Sequence, residues 1–219
     1  MSENKKNSPV SIKYIGYDFF RFSAAPGLLW FRPKRYYLTE KAKQKIKGGA
    51  LIICNHVSLF DPMYLMLGIW RRRHRFVAAT ELFGTKFTRW LFSKGFLCIE
   101  IDRENFSLKT LKEVVNILKG GEVVSMFPEG HVNVEKSGVQ SFKSGMVLMA
   151  LKSECPIIPV YIKRRKHFYS RVELGIGEPI NIKDFITGEK MTVDDIKRAT
   201  EFLQEQEKQL EELVEGAKK

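Results

Sequence analysis

The sequence is poor in the features that would settle its class at a glance. Its three cysteines, Cys54, Cys98 and Cys155, lie far apart, each within an apolar stretch, and none forms a Cys-x-x-Cys pair. That excludes a disulfide framework and points to reduced, buried thiols. The N-terminal Met-Ser-Glu-Asn-Lys-Lys-Asn-Ser-Pro has no apolar signal region after its charges, so secretion is not expected. There is no internal repeat and no low-complexity linker. Acidic residues are also short: 25 Asp and Glu against 37 Lys and Arg leave a formal charge of +12.

No uninterrupted apolar run reaches bilayer length. Between Gly49 and Trp70 the only ionisable side chains are His56 and Asp61, but Asn-His-Val-Ser-Leu-Phe-Asp-Pro occupies the middle. Those polar groups and the proline would sit where each ionisable group costs several kcal/mol. Two short buried elements joined by a functional loop fit better. The hydrophobic share of 44% and mean hydropathy of -0.22 agree with a globular domain, and 219 residues suit a single core.

From Ala50 onward, apolar runs rich in Ile, Val and Phe alternate with helical patterns. This predicts an α/β fold, a central mostly parallel sheet flanked by helices. Expected strands are 50–54, 75–79, 96–101, 123–127, 157–162 and 171–176; expected helices are 62–72, 86–94, 107–119, 142–152 and 193–214. Thr192-Val-Asp-Asp195 reads as a capping-box start to the last helix.

Residues 10–37 differ in character. Aromatic Tyr14, Tyr17, Phe19, Phe20, Phe22, Trp30, Phe31, Tyr36 and Tyr37 interleave with Lys13, Arg21, Arg32, Lys34 and Arg35. Ten uncharged residues between Arg21 and Arg32, including Pro26-Gly27, are too few to cross a bilayer but suit a helix-break-helix. The expectation is an interfacial segment, 1–40, in which Phe19, Phe20, Trp30, Phe31, Arg32, Lys34 and Arg35 meet a membrane surface bearing anionic lipid, followed by a catalytic domain, 41–219. The clusters Arg71-Arg72-Arg73 with Arg75, and Lys163-Arg164-Arg165-Lys166, read as solvated charged faces that also attract anions. His74 and His167, in those basic surroundings, are expected at the surface.

Chemistry concentrates at Asn55-His56-Val57-Ser58-Leu59-Phe60-Asp61-Pro62, after a buried strand and before an apolar helix, where α/β sheets place their sites. Asp61-Pro62 reads as N-cap and first helical residue. The same turn brings Asp61 to the His56 imidazole, fixing its tautomer and leaving the other nitrogen to take a proton. Cys54 shares that strand face but reads as packing. Such a base requires an attacking hydroxyl. A second strand, Glu122-Val-Val-Ser-Met126, runs into Phe127-Pro128-Glu129-Gly130-His131, presenting Glu129 in a turn that glycine permits.

Four ordered blocks together resemble the family of 1-acylglycerol-3-phosphate acyltransferases and related glycerolipid acyltransferases. They are Asn-His-x-Ser-x-x-Asp at 55–61, Gly95-Phe-Leu-Cys-Ile-Glu-Ile-Asp102-Arg103, Phe127-Pro128-Glu129-Gly130, and Pro156-Ile-Ile-Pro159, within roughly residues 45–165. The resemblance implies that His56 is the general base oriented by Asp61. It implies that Arg103 contacts the acceptor phosphate, that Glu129 and Gly130 help bind the acceptor, and that Ser58 and Lys143 lie at the substrate. It further implies acyl transfer from acyl-CoA or acyl carrier protein to a lysophospholipid, with no metal and no other cofactor, on the cytoplasmic face of a membrane. Nucleic acid is not an expected partner. One departure stands out: the Thr or Ser and then Arg usual after Phe-Pro-Glu-Gly are here His131-Val132, and valine does not replace a guanidinium on phosphate. Two rival classes remain open, a metal-dependent hydrolase using His56, Asp61, Glu129 and His131, and a non-catalytic binder of anionic membranes or nucleic acid.

Overall fold

The computed structural model describes residues 14–23, 25–102, 107–133, 141–167, 170–189 and 191–217, with the side chain of residue 28 outside that description. Seven strands build the sheet: β1 (Lys34–Tyr37), β2 (Ala50–Cys54), β3 (His74–Ala79), β4 (Ile99–Ile101), β5 (Val123–Met126), β6 (Ile157–Ile162) and β7 (Glu173–Ile176). The order across it is β1-β7-β6-β2-β5-β3-β4. Every pairing is parallel except β6 with β7.

The helices are α1 (Ile15–Ser23), α2 (Pro26–Phe31), α3 (Asp61–Gly68), α4 (Lys86–Trp90), α5 (Leu108–Lys119), α6 (Gly145–Ser153) and α7 (Val193–Gly216). A π-helical turn, Leu91–Gly95, follows α4 directly. The expected single helix over 86–94 is thus a short α-helix that widens into a π-turn. The expected helix over 62–72 stops at Gly68, which no Cβ fits because Leu174 lies 2.7 Å from where one would stand.

Strand β2 shows why the sheet is buried on both faces. All five of its residues are buried, as continuous apolar parallel strands require. Alternation along it sends Leu51 and Ile53 into the core under α5 and α6, and Ala50, Ile52 and Cys54 into the core under α3. Helix α7 opens with the expected capping box, Thr192 and Asp195 exchanging backbone bonds of 3.1 and 2.9 Å.

Strand β1 was not anticipated. Residues 34–37 pair with β7 from Lys34 opposite Glu173 to Tyr37 opposite Ile176, so a division at residue 40 does not follow the sheet. The segment before it is partly absorbed as well. Phe31 is buried, edge-on to Tyr64 at 5.6 Å and beneath the Arg165 guanidinium at 4.6 Å. Arg35 donates to the Gly68 carbonyl, and Phe20 packs on Phe96 with centroids 4.7 Å apart. Lys34 lies over Tyr36, and the Arg32 carbonyl accepts from Arg171. Of the residues expected at a membrane, Phe19, Trp30, Arg32, Lys34 and Arg35 are exposed, Phe20 is half-buried and Phe31 is buried. The reason is a shared chemistry: an aromatic and cationic segment suits an interface, and suits equally well a sheet edge rich in carbonyls and rings. Among the described residues, no helix is long and apolar enough to cross a membrane.

Candidate active site

The loop leaving β2 is tied down from three directions. Asn55, buried, donates to the Ile162 carbonyl at 3.0 Å and accepts from its amide at 2.7 Å, locking the loop's first residue to β6. Asp61 is fully buried, and its Oδ2 accepts from the amides of Val57 (2.7 Å) and Ser58 (2.8 Å) and meets His56 Nδ1 at 2.9 Å. This carboxylate therefore organises the turn behind it. It does not cap the helix ahead: α3 begins at Asp61 itself, with Phe60 at the N-cap and no side-chain cap bond.

With Nδ1 held by a carboxylate, the proton on neutral His56 sits on Nδ1 and Nε2 keeps its lone pair. The ring is clamped flat against Phe127, with centroids 4.1 Å apart and planes 16° from parallel. Only its edge reaches outward, its side chain being 13% exposed.

That edge lines an apolar cavity of about 1010 Å³, at the upper end of the roughly 300–1,000 Å³ usual for small-molecule sites. Met63 and Met66 of α3, Val77 and Ala79 of β3, Phe92 and Phe96 around the π-turn, and Met146 and Met149 of α6 form its walls. Pro128, Gly130 and Lys143 reach it from the other motif loop. Gly130 takes φ 79°, and a Cβ there would stand 3.3 Å from Lys143 Cε, so its left-handed turn and bare α-carbon both bring loop and lysine together.

The sequence-predicted residues divide. His56, Asp61, Gly130 and Lys143 come together around the dyad and the cavity. Ser58 instead lines a separate cleft of about 370 Å³, beside Tyr64 and Lys163 to His167. Glu129 is buried but does not line the cavity; its charge acts on Glu207 of α7 instead. The turn at Gly130 swings the preceding side chain inward, so the loop's neighbours of Glu129 face the cavity and its carboxylate does not. Arg103 lies outside the described residues, whereas Asp102 beside it is exposed and lines the cavity. His131 is exposed and off the cavity wall. Among the described residues, His56, Asp61, Glu129 and His131 do not converge as a ligand set. The Cys54 thiol is driven well above its ordinary range, first by burial and then by the carboxylates of Glu207, Asp61 and Glu129, which leaves it inert as a nucleophile.

Arg164 is the residue that sequence reasoning passed over. Its guanidinium donates to the carbonyls of Val57 (3.3 Å) and Asn133. The Asn133 amide in turn donates to the His56 carbonyl at 2.6 Å. One arginine at the end of β6 thus binds both motif loops. The basic cluster at 163–166 was its only signal, and composition alone could not say that it points inward.

Comparison with known proteins agrees with this architecture. A family model described as Acyltransferase matches residues 35–163. The 1-acyl-sn-glycerol-3-phosphate acyltransferase of Bacillus subtilis (strain 168) is 30% identical over 145 residues, covering 63% of this chain and 70% of the relative. The enzyme of the same name from Streptococcus pneumoniae is 28% identical over 186 residues, 81% of this chain and 66% of its own length. The crystal structure of the 1-acyl-sn-glycerophosphate acyltransferase from Thermotoga maritima superposes with a TM-score of 0.62 at 22% identity, over 92% of this chain and 80% of that one. That likeness speaks to the fold.

Proposed function

Because the chain belongs to the 1-acylglycerol-3-phosphate acyltransferase family and is an O-acyltransferase, we propose that it moves a fatty acyl group from acyl-CoA or acyl carrier protein to the free hydroxyl of 1-acylglycerol-3-phosphate, giving phosphatidic acid. The observation that carries this reading is His56: one nitrogen engaged by a buried carboxylate, the other edge opening on a long apolar cavity. Nε2 takes the proton of the acceptor hydroxyl as its oxygen attacks the thioester carbonyl. The tetrahedral intermediate collapses with cleavage of the C–S bond, and the leaving thiolate takes the proton back from the imidazolium. Asp61 stabilises that imidazolium while holding the ring in place.

A thioester is already activated, so a positioned base and proximity suffice without a covalent enzyme intermediate. The cavity takes the acyl chain, and Lys143, with Arg103, meets the acceptor's phosphate. The chain works as a peripheral protein on an anionic membrane, where the lysolipid acceptor resides. A second reading, transfer to another lysolipid, is favoured by Val132, which supplies no guanidinium at the position where the family's second phosphate contact falls.

The test is purified protein offered acyl-CoA and acyl carrier protein with a panel of lysolipids, products read by mass. His56→Ala should stay folded by circular dichroism and lose acyl transfer by about 100-fold or more. Turnover close to that of the unaltered chain would remove His56 from the role of base.

A further inference from the structure

Helix α4 is anomalous as a piece of a folded domain. Short helices draw their stability from an apolar face laid on a core, yet none of the five residues of α4 is buried. Its N-terminus is held locally instead: Thr85 accepts from the Thr88 amide and the Thr88 hydroxyl accepts from the Thr85 amide, both at 3.1 Å. Phe87 and Trp90, one turn apart, stand 67% and 57% exposed with ring centroids 6.4 Å apart. A capped helix is thus holding two large rings outward on one face.

Three further observations fix what meets those rings. The π-turn that continues α4 sends Phe92 into the cavity wall, packed on Phe83 and Phe96 at 5.7 and 6.1 Å. Leu59 and Phe60, 81% and 56% exposed, line the same cavity from the far loop, so its mouth is itself an exposed apolar rim. Lys86 and Lys94, both exposed, bracket the segment. A protein groove would gain from the apolar rim but not from cations flanking it. A layer with apolar chains beneath anionic headgroups matches both.

Resting on the acyl-transfer reading, we propose that α4 is a bilayer-inserting element. Phe87 and Trp90 enter the acyl region of an anionic leaflet beside the cavity mouth, with Lys86 and Lys94 at the phosphates, so that a lipid chain passes from leaflet to cavity without crossing water. This contact is distinct from the exposed rings of α1 and α2.

Full-length protein carrying Trp30→Phe and Trp70→Phe leaves Trp90 as the one tryptophan, excited selectively over the tyrosines. It is mixed with vesicles of phosphatidylcholine and phosphatidylglycerol brominated on the acyl chains. Quenching of Trp90 emission is expected, and vesicle-bound protein whose Trp90 is unquenched overturns the proposal. A second variant, Phe87→Ser with Trp90→Ser, changes only exposed rings. It should bind these vesicles about tenfold more weakly or worse and lose turnover on acceptor embedded in them. Turnover on short-chain acceptor below its micelle concentration should be retained, and undiminished vesicle binding by this variant also overturns the proposal. Should the unaltered chain acylate no lysolipid while Trp90 is quenched, insertion stands and the acyl-transfer reading falls.

Discussion

At the scale of single residues, position decided what composition left open. The arginines at 72, 73 and 75 read in sequence as a solvated basic face. In the fold Arg72 donates to the carbonyls of Ile46, Gly48 and Gly121, Arg73 pairs with Asp18 at 2.7 Å, and Arg75 pairs with Glu122 at 2.8 Å. His74, expected at the surface among them, is wholly buried. It is the first residue of β3, and its Nδ1 meets Ser125 Oγ at 2.8 Å while Nε2 faces the Ile69 carbonyl at 3.2 Å. The neutral ring satisfies both, accepting from the serine and donating to the carbonyl. Burial, aided by Arg21 and Arg72 against the Ile69 carbonyl, lowers its pKa from 6.5 to about 4. Between those values the unfolded chain binds a proton that the folded chain does not, so stability falls as pH drops from about 6.5 towards 4 and is intact above that window. Over the whole window the loss is about 3 kcal/mol. His74→Asn should therefore flatten the acid limb of a melting-temperature profile taken between pH 4 and 7; an unchanged slope would detach His74 from acid lability.

At the scale of elements, the helices and strands carried by period and punctuation were legible, and those set by partners were not. The apolar run of β2 and the capping box of α7 are local, and both appear where the sequence places them. Strand β1 is four residues of Lys, Arg and Tyr, which no apolar period marks; it is a strand because β7 offers an open parallel edge. Helix α7 adds a feature that its amphipathic pattern hides. Glu207 lies on its buried stripe with no exposed surface. Burial drives its carboxyl well above the ordinary 4.5, the charge of Glu129 adds to this, and the Asn55 amide opposes it. Here the sign is opposite to that of His74: the folded chain keeps a proton that the unfolded chain releases, so stability is full below about pH 4.5 and declines as pH rises through the folded value. Glu207→Gln should melt higher than the unaltered chain at pH 8, with the gap closing towards pH 4.5 in parallel thermal scans. A gap independent of pH would mean that packing, not ionisation, sets the difference.

At the scale of the whole molecule, the net charge of +12 acts as a field. Several of its cations are spent on carbonyls and carboxylates inside the fold, yet ion pairing of that kind leaves the excess unchanged. Attraction to anionic vesicles should consequently be strong near 0.1 M salt and fall steeply towards 1 M, as the screening length shrinks from about 10 to 3 Å. Co-sedimentation across that range measures it. Binding insensitive to salt would assign the attachment to apolar insertion alone.

The sequence by itself determined the α/β alternation, the buried parallel strands and the pairing of His56 with Asp61, because strand periods, caps and a five-residue turn are short-range properties of the chain. Only the tertiary structure decided which side chains the cavity receives. Strand order set by long-range pairing brings α3, β3, the π-turn and α6 around one apolar space, admits Lys143, and turns Glu129 away towards α7. It also converts basic clusters into internal fasteners, Arg164 across the two motif loops above all. A guanidinium seeks carbonyls wherever folding leaves them, and no spacing in the sequence records where that is.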